Sequence, residues 1–445
     1  MPAPLLLLLG LGPYPTEPGA GVSGPGIRVR QFAEPLRAAG FEVVVGLCEA
    51  RAEKAFRLPG GMRAFRATPD VFESPGRLAK GLGPLAGRVD AVLGVGSLMP
   101  AAAAAMLGEA LRRPAWSDLF GDPLAELHGE ETAPNSPASE NHPRRDQVWK
   151  LMRETLLRAD AFSTVSERQR DALLGQLLLL GRWGGAADPG PEARIHCVPC
   201  AVPASWAEAK QPDPDFPEAL AERGLAPETP FVFVGGSWTP WLAAREMGAA
   251  LRRLLEDEPE AWVVIRGGPA RGIAGPVCRT FNEALGESDR VVALAPGDAD
   301  EAALLAHARA ALLLDRPIAE SRLGSRNRLL AFARWGLPTV ASVRAEVAAD
   351  LAAEGLVLAA DPSDGELTVA ALREAVGFSV QKRRALQRKG RAYLERVTYE
   401  ATLAPVLDWL RVRDRWQPPV ERASQQIAWA TLPAGDRALL DRLES

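Results

Sequence analysis

The sequence predicts an α/β protein made of two doubly wound, Rossmann-like domains that face each other across a cleft. Its 445 residues exceed the roughly 100–200 residues of one domain. In each half, short apolar runs alternate with segments of helical periodicity, which is typical of parallel sheets with right-handed crossovers. A proline-rich stretch at 199–217 separates the halves. We therefore expect a first domain at 1–205, a second at 206–400, and a helical tail at 401–445 that returns to the first domain.

In the first half, apolar runs predict the strands and the periodic segments between them predict the helices. The loop after the first strand is rich in glycine and proline, and Gly40 marks the end of the first helix. A polar, proline-rich stretch at 132–143 is predicted to be a loop. The predicted strands are 5–9, 41–45, 91–95, 115–119 and 161–165, and the predicted helices are 28–39, 100–111, 153–158 and 167–180.

The same alternation begins again after the proline-rich stretch. The predicted strands of the second half are 231–234, 262–265, 291–294, 311–314, 339–342 and 357–359. The predicted helices are 242–255, 301–309 and 327–334, with further helices in most of the remaining chain. Ligands of such sheets bind beyond the carboxyl ends of the strands, so a ligand shared by both domains is expected in the cleft.

Composition excludes several classes of protein. The formal net charge is −4 and no long basic run occurs, which argues against nucleic acid as the main partner. The short run Lys382-Arg383-Arg384 is expected on a solvated helix face rather than against an anionic lipid. No segment approaches the ~20 apolar residues of a membrane span, and the leucine run after Pro4 lacks the basic residues that precede it in a signal peptide.

The four cysteines predict neither a disulfide framework nor a metal centre. Four are too few for a disulfide scaffold in a chain of this length. The pair Cys197-Val-Pro-Cys200 has the spacing of metal ligands, but a structural zinc site needs a second such pair. We therefore expect a cytoplasmic protein without a metal ion. A location at the inner face of the membrane, contact with a partner protein and the oligomeric state stay open.

The first glycine loop is a candidate binding site for an acceptor or a phosphate. It joins the first strand to the first helix, and its candidate residues are Ser23, Gly24, Gly26 and Arg28. Glycine allows a ligand close to the backbone, and a helix N-terminus attracts anions. The loop departs from the G-x-G-x-x-G pattern and no acidic residue ends the second strand, which disfavours NAD. A plain connecting loop is the alternative.

Asp118 is the candidate catalytic residue of the first half. It begins the segment Asp118-Leu-Phe-Gly-Asp122, directly after a predicted strand. A carboxylate there could act as a base or contact a sugar hydroxyl, and a turn or helix cap is the alternative. Glu126, His128 and Glu130 form a weaker cluster just beyond.

The second half offers residues suited to a nucleotide. Arginine forms bidentate contacts with phosphate oxygens, glycine turns present N–H groups, and Glu320 could hold ribose hydroxyls. Trp238 could stack on a base or belong to the core. The candidate donor-binding residues are Gly236, Ser237, Trp238, Arg266, Gly267, Arg316, Glu320, Leu323, Gly324, Ser325, Arg326 and Arg328.

The order of these segments resembles the retaining GT-B glycosyltransferases of family four. Members carry a Glu, a glycine turn and a helix ending in A-x-G-x-P-V-V-A-S. Here the corresponding residues are Glu320, Gly324 and the run Ala331-Phe-Ala-Arg-Trp-Gly-Leu-Pro-Thr-Val-Ala-Ser342. The segments at 26–43, 159–170 and 197–203 are also similar, so that the resemblance covers most of residues 5–400. It is strongest to members from bacterial surface-polysaccharide clusters.

The resemblance implies transfer of a sugar from a nucleotide diphosphate donor to an acceptor in the first domain, with retention of configuration. Asp118 and Glu320 are the candidate catalytic residues. Glu320 matches the first position of the family's Glu-x7-Glu motif, whereas the second falls on Arg328. The basic residues that hold the diphosphate in the family are replaced at the Gly236 loop. Arginines and a helix dipole could replace a metal ion at the diphosphate.

Two alternatives remain open: a catalytically silent subunit that binds a partner transferase, and a sugar-nucleotide epimerase. The acceptor, whether a glycan, a lipid-linked molecule or a protein, also stays open.

Overall fold

The protein was analysed as a computed structural model. It describes residues 3–17, 23–133, 144–182, 190–208, 214–267, 274–295 and 297–412. The predicted loop at 132–143 lies mostly outside these ranges, as do residues 18–22 of the first glycine loop and the tail beyond Val412.

The first sheet has β1 at its centre. All seven residues of β1 are buried, because parallel neighbours flank it and helices cover both of its faces. Every pairing in the described part of this sheet is parallel except that of β3 with β4. The strand order is β3-β4-β2-β1-β5-β6-β7-β8. The strands are β1 (Leu5–Leu11), β2 (Glu42–Cys48), β3 (Glu53–Arg57), β4 (Arg63–Ala67), β5 (Val89–Gly94), β6 (Ala115–Asp118), β7 (Ala161–Thr164) and β8 (Ile195–Cys197).

The second sheet is parallel in every described pairing, with the order β11-β10-β9-β12-β13-β14. Its order reverses between β9 and β12, which is where such sheets bind ligands. The strands are β9 (Phe231–Gly235), β10 (Trp262–Arg266), β11 (Val291–Leu294), β12 (Ala310–Leu313), β13 (Thr339–Ala341) and β14 (Val357–Ala359).

Helices connect the strands of both sheets. None of the helices within the described residues is both long and apolar enough to span a membrane. They are α1 (Gly24–Ala38), α2 (Pro69–Phe72), α3 (Pro75–Leu82), α4 (Leu98–Leu111), α5 (Pro123–Glu131), α6 (Arg145–Arg158), α7 (Glu167–Leu179), α8 (Glu218–Ala221), α9 (Ala244–Asp257), α10 (Ala274–Leu285), α11 (Glu301–His307), α12 (Ala319–Leu323), α13 (Asn327–Trp335), α14 (Glu346–Ala353), α15 (Gly365–Val376), α16 (Val380–Arg396), α17 (Tyr399–Thr402) and α18 (Ala404–Arg411).

The predicted fold class is confirmed, with two doubly wound sheets in one chain. Helix α5 follows β6 of the first sheet and packs against α12, which follows β12 of the second. The carboxyl ends of the two sheets therefore face each other, and the cleft between them is the expected ligand site.

The chain crosses between the two sheets twice, and the crossings touch. Val202 donates a backbone hydrogen bond to the carbonyl of Val397 (3.0 Å) and accepts one from Tyr399 (2.9 Å). After the second crossing, α18 buries Val406 and Leu410 in the core of the first sheet, and Trp409 lies edge-on against Trp116. The end of the described chain thus belongs to the first sheet's core.

Candidate functional site

Arg28 and Asp118 form a fully buried ion pair at the carboxyl edge of the first sheet. Arg28 donates from Nε and Nη2 to the two carboxylate oxygens of Asp118 at 2.9 and 2.7 Å. Asp118 also accepts from Ser163 Oγ (2.6 Å) and Gly96 N (3.1 Å). Arg28 donates further to the carbonyl of Val198 (2.7 Å). Burial alone would lower the pKa of Arg28, but the charge of Asp118 outweighs it and raises that pKa.

These contacts change the expected roles of both residues. Neither side chain is exposed, and Asp118 accepts four hydrogen bonds from the described residues. In this structure Asp118 therefore lies out of reach of a sugar hydroxyl, and Arg28 out of reach of a phosphate. The pair instead joins α1, β6 and the start of the first crossing.

The remaining candidates of the first glycine loop shape the start of α1. Ser23 caps the helix by accepting from Gly26 N (3.1 Å). A Cβ on Gly26 would lie 2.4 Å from the carbonyl oxygen of Pro13, so only glycine fits there. A Cβ on Gly24 would make ordinary contact with Phe120 at 3.4 Å. The loop's glycine pattern is thus explained at Gly26 by backbone packing rather than by a ligand.

In the second domain, Arg326 lies between two buried carboxylates. It donates to Asp315 Oδ2 (2.8 Å) and to both oxygens of Glu320 (3.0 and 2.7 Å). Burial would lower the pKa of Arg326, but the two carboxylates raise it. The pKa of Glu320 is raised by burial in spite of Arg326. A Cβ on Gly324 would lie 2.3 Å from Glu320 Oε1, so this glycine leaves room for the cluster.

Arg328 occupies a different environment. Its guanidinium donates to the carbonyls of Gly235 (2.8 Å) and Ser237 (2.7 Å), at the end of β9. It makes no ion pair with any described carboxylate. Burial, and next the charge of Arg326, lower its pKa to about 10. Arg328 is therefore a poorly compensated cation at the carboxyl edge of the second sheet.

Glycines bring the ends of β9 and β10 together beside Arg328. Gly236 has φ +102°, and a Cβ on Gly267 would lie 2.3 Å from the carbonyl oxygen of Gly236. Trp238 is 4% exposed and packs against Phe281 at 4.7 Å, and its Nε1 lies 3.4 Å from where a Cβ on Gly267 would stand. Trp238 thus belongs to the core and is not available to stack on a base. Arg266 is bound to Glu301 of α11.

The other candidates bridge the two domains. Arg316 donates to the carbonyls of Pro240 (2.8 Å), Gly129 (3.3 Å) and Thr132 (2.5 Å), the last two at the C-terminus of α5. A helix C-terminus favours a cation, and this position explains why Arg316 is not directed at a phosphate. The carbonyl of Leu323 accepts from Ser166 Oγ of the first domain (3.1 Å). Burial raises the pKa of the Cys200 thiol, and the neighbouring Ser325 lowers it in part.

Glu126, from the weaker cluster named in the sequence, lies at the cleft near Glu320 of the other domain. It lies in the first turn of α5, over Gly121, where a Cβ would lie 2.6 Å from Glu126 Oε1. No described residue forms a hydrogen bond with its carboxyl group. Burial, followed by the negative charges of Glu320 and Glu130, raises its pKa to about 8. The position of Glu126 after a strand was its only signal in the sequence. The carboxylate that affects its pKa most, Glu320, lies in the other domain.

The described residues contain no group of three or more His, Cys, Asp or Glu side chains arranged to hold a metal ion. His196 stacks on Trp116 at 5.1 Å, and Cys197 and Cys200 are free thiols.

The first domain matches a family model. Residues 23–183 match the model described as Glycosyl transferase 4-like domain, a range that includes Arg28, Asp118 and Glu126. No curated protein is similar enough in sequence to be matched to the chain.

Solved structures share the whole architecture. Sucrose-phosphate synthase from Thermosynechococcus elongatus superposes with a TM-score of 0.62 at 17% identity, over 92% of this chain and 98% of that one. The E. coli trehalose-6-phosphate protein bound with UDP-2-fluoro glucose gives 0.64 at 15%, over 91% and 98%. Anabaena HepE in complex with UDP and glucose gives 0.63 at 15%, over 92% and 99%. The chain thus has the GT-B fold of glycosyltransferases, and its first domain resembles those of family four.

Proposed function

We propose that the protein transfers a sugar from a nucleoside diphosphate to an acceptor bound by the first domain. The donor diphosphate would lie at the carboxyl edge of the second sheet, and the acceptor would enter from the side of α5. UDP is the first nucleotide to test, because two of the similar structures hold UDP or a UDP-sugar analogue. The resemblance favours retention of configuration and a hexose donor. None of the four cysteines, all of which lie within the described residues, forms a disulfide, which fits the proposed cytoplasmic location.

Arg328 carries this proposal. Arg328 is a half-buried cation without a carboxylate partner among the described residues, which is unfavourable, and a bound anion relieves that cost. Arg328 already lies against the Gly235–Ser237 backbone at the end of β9. The leaving diphosphate gains negative charge as the sugar departs, so a preorganised guanidinium there stabilises the transition state.

The buried groups around Arg328 act as positioning residues. Glu320 and Asp315 hold Arg326, whose charge, second to burial, lowers the pKa of Arg328, while the charge of Asp315 partly offsets this effect. In the other domain, Asp118 holds Arg28 and thereby fixes the start of α1. Glu126, on α5 of the first domain, would form a hydrogen bond with an acceptor hydroxyl.

Thermal stabilisation by a panel of UDP, GDP, ADP, CMP, dTDP and NAD tests the proposal. A nucleotide at a hundredfold excess over its Kd stabilises the fold by about 2.7 kcal/mol, which gives a clear shift in Tm. We expect a shift with one nucleoside diphosphate that is lost in Arg328→Gln and retained in Arg322→Ala, a change at a neighbouring exposed arginine.

No shift with any nucleotide would contradict the proposal and favour a silent partner subunit. If a shift is seen, hydrolysis of the matching nucleotide sugar shows whether the site is active. Product analysis without an acceptor then separates a transferase from an epimerase, because only the epimerase returns an isomeric nucleotide sugar.

A further inference from the structure

A second concave site lies away from the cleft, where the ends of α11 and α13 meet the start of α16. A basin with a volume of about 210 Å³ is lined by Ala306, Trp335, Val380, Arg383, Arg384 and Gln387. Helix α13 carries Arg328 near its first residue and Trp335 at its last, and its nine residues span about 13 Å. The basin thus lies at the amino edge of the second sheet, opposite the proposed donor site.

The walls of this Trp335 basin are held by close helix contacts. Gly336 ends α13 with φ +60°, and a Cβ there would lie 2.5 Å from the backbone N of Gln387. A Cβ on Gly390 of α16 would lie 2.0 Å from the carbonyl oxygen of Ala333. Because α13 and α16 touch through their backbones, the basin is formed before any ligand binds.

The charges of the basin are positive and unbalanced. Arg384 is exposed and has no hydrogen bond or ion pair with a described residue. Arg383 is half-buried and donates to the carbonyls of Ala306 (3.4 Å) and Ala308 (3.1 Å). No acidic side chain lines the basin. Burial first, and then the charge of Arg309, lower the pKa of Arg383, which shows that its charge is poorly compensated. Arg383 therefore departs from the solvated face expected for the run at 382–384.

The remaining lining residues indicate which chemical group would accompany the anion in a ligand. Trp335 is half-buried and offers an aromatic surface, and Val380 is an exposed apolar side chain (56%). Gln387 adds an amide that can donate and accept. The volume is below the roughly 300–1,000 Å³ of pockets for drug-sized ligands, so a complete nucleotide sugar does not fit. The basin suits a small anion that carries one compact, partly apolar group, such as a sugar ring.

We propose that the Trp335 basin binds a small soluble phosphate monoester, such as a monosaccharide phosphate, with Arg383 and Arg384 on the phosphate and Trp335 beside the sugar ring. Arginine suits the phosphate oxygens, and sugar rings present apolar C–H faces that pack on an aromatic surface. The site is separate from the proposed donor site, and it does not depend on the proposed reaction.

Calorimetric titration of the full chain tests the site with glucose 6-phosphate, glucose and inorganic phosphate. We expect saturable binding of glucose 6-phosphate, weaker binding of phosphate and none of glucose. Arg384→Ala should weaken the binding of glucose 6-phosphate roughly tenfold, because it removes a charged hydrogen-bond donor. Arg388→Ala, an exposed arginine on the same helix outside the basin, should change it less than about twofold.

Two comparisons can overturn the proposal. Unchanged binding in Arg384→Ala and in Trp335→Leu would place the ligand elsewhere, and loss of binding in Arg328→Gln would place it at the proposed donor site. Absence of saturable binding of glucose 6-phosphate at millimolar concentrations would also reject the site. Co-sedimentation with phosphatidic acid vesicles, without binding of the free monoester, would assign the basin to a membrane surface instead.

Discussion

Among single residues, the arginines differ chiefly in the groups with which they form hydrogen bonds and ion pairs. Arg28 and Arg326 are buried against carboxylates. Among the described residues, Arg316 and Arg328 donate to backbone carbonyls, and Arg316 also to the hydroxyl of Thr132, but neither pairs with a carboxylate. Partners separated by 90 residues, as in the pair Arg28 and Asp118, follow from the arrangement of strands and cannot be recognised in the sequence. This is why the sequence could not distinguish the arginines that pair with buried carboxylates from those that do not.

Replacement of Asp118 by Asn should destabilise the protein strongly. The change leaves Arg28 buried without a negative partner, which typically costs about 3–5 kcal/mol of unfolding free energy. Urea unfolding followed by tryptophan fluorescence measures the loss. Glu34→Gln is the matched control, since it breaks the partly exposed pair of Arg30 and Glu34 and should cost less than about 1 kcal/mol. Equal losses in the two variants would contradict the structural role of Asp118.

Replacement of Glu126 by Gln should remove a pH dependence of stability. The pKa of Glu126 is raised from 4.5 to about 8 in the folded protein, so folding takes up a proton between these values. The stabilisation is complete below the unfolded pKa and is lost as the pH rises through about 8. The loss is limited because the side chain keeps some contact with solvent.

Urea unfolding of both proteins between about pH 5 and pH 9 measures this effect. The wild-type protein should lose stability relative to Glu126→Gln as the pH rises. Parallel pH profiles would show that Glu126 ionises normally in the folded protein.

Among the elements, the sequence predicts the central strands well and the edges poorly. Strands such as β1 and β9 are buried on both faces, and for that reason nearly all of their residues are apolar, which makes them easy to predict. Strands β3 and β4 were missed because charged residues leave each with at most two consecutive apolar residues and no regular alternation, and β3 lies at the edge of the sheet. Helix α5 was also missed, since Pro123 at its start is equally frequent in turns.

Close packing of α13 on α16 makes a prediction about Gly390. Gly390→Ala places a methyl group against the carbonyl of Ala333, and overpacking of this kind typically costs about 1–3 kcal/mol. Gly175→Ala on α7 is the control, because that glycine has open space around it. There we expect a gain of roughly 0.5–1 kcal/mol from helix propensity. Thermal unfolding compares the two variants. A gain in stability in both would show that α13 and α16 can move apart to accommodate the added methyl group.

In the whole molecule, the two domains are joined across the cleft by specific contacts. Arg316 of the second domain binds the C-terminus of α5, and Ser166 of the first binds the carbonyl of Leu323. Backbone amides at the start of α7 also face Glu346 at 3.3 and 3.4 Å. These contacts hold the two edges of the cleft together.

Removal of the Arg316 side chain should favour a more open arrangement. Arg316→Ala loses three hydrogen bonds to carbonyls, two of which belong to the other domain. Small-angle scattering without nucleotide should then give a larger radius of gyration than the wild-type protein. Arg322→Ala provides the control variant, which should leave the radius unchanged because this side chain is not part of those contacts. An unchanged radius in Arg316→Ala would mean that the packing of α5 on α12 holds the cleft closed by itself.

The paired crossings at Val202 and Tyr399 decide how such an opening can proceed. A single connecting strand would let one domain swivel in any direction, whereas two strands tied by hydrogen bonds resist twisting and sliding. The remaining motion is rotation of one domain relative to the other about a single hinge axis through the paired crossings. Every opened form should therefore keep these two hydrogen bonds, and Arg328 and Glu126 should separate along a single arc.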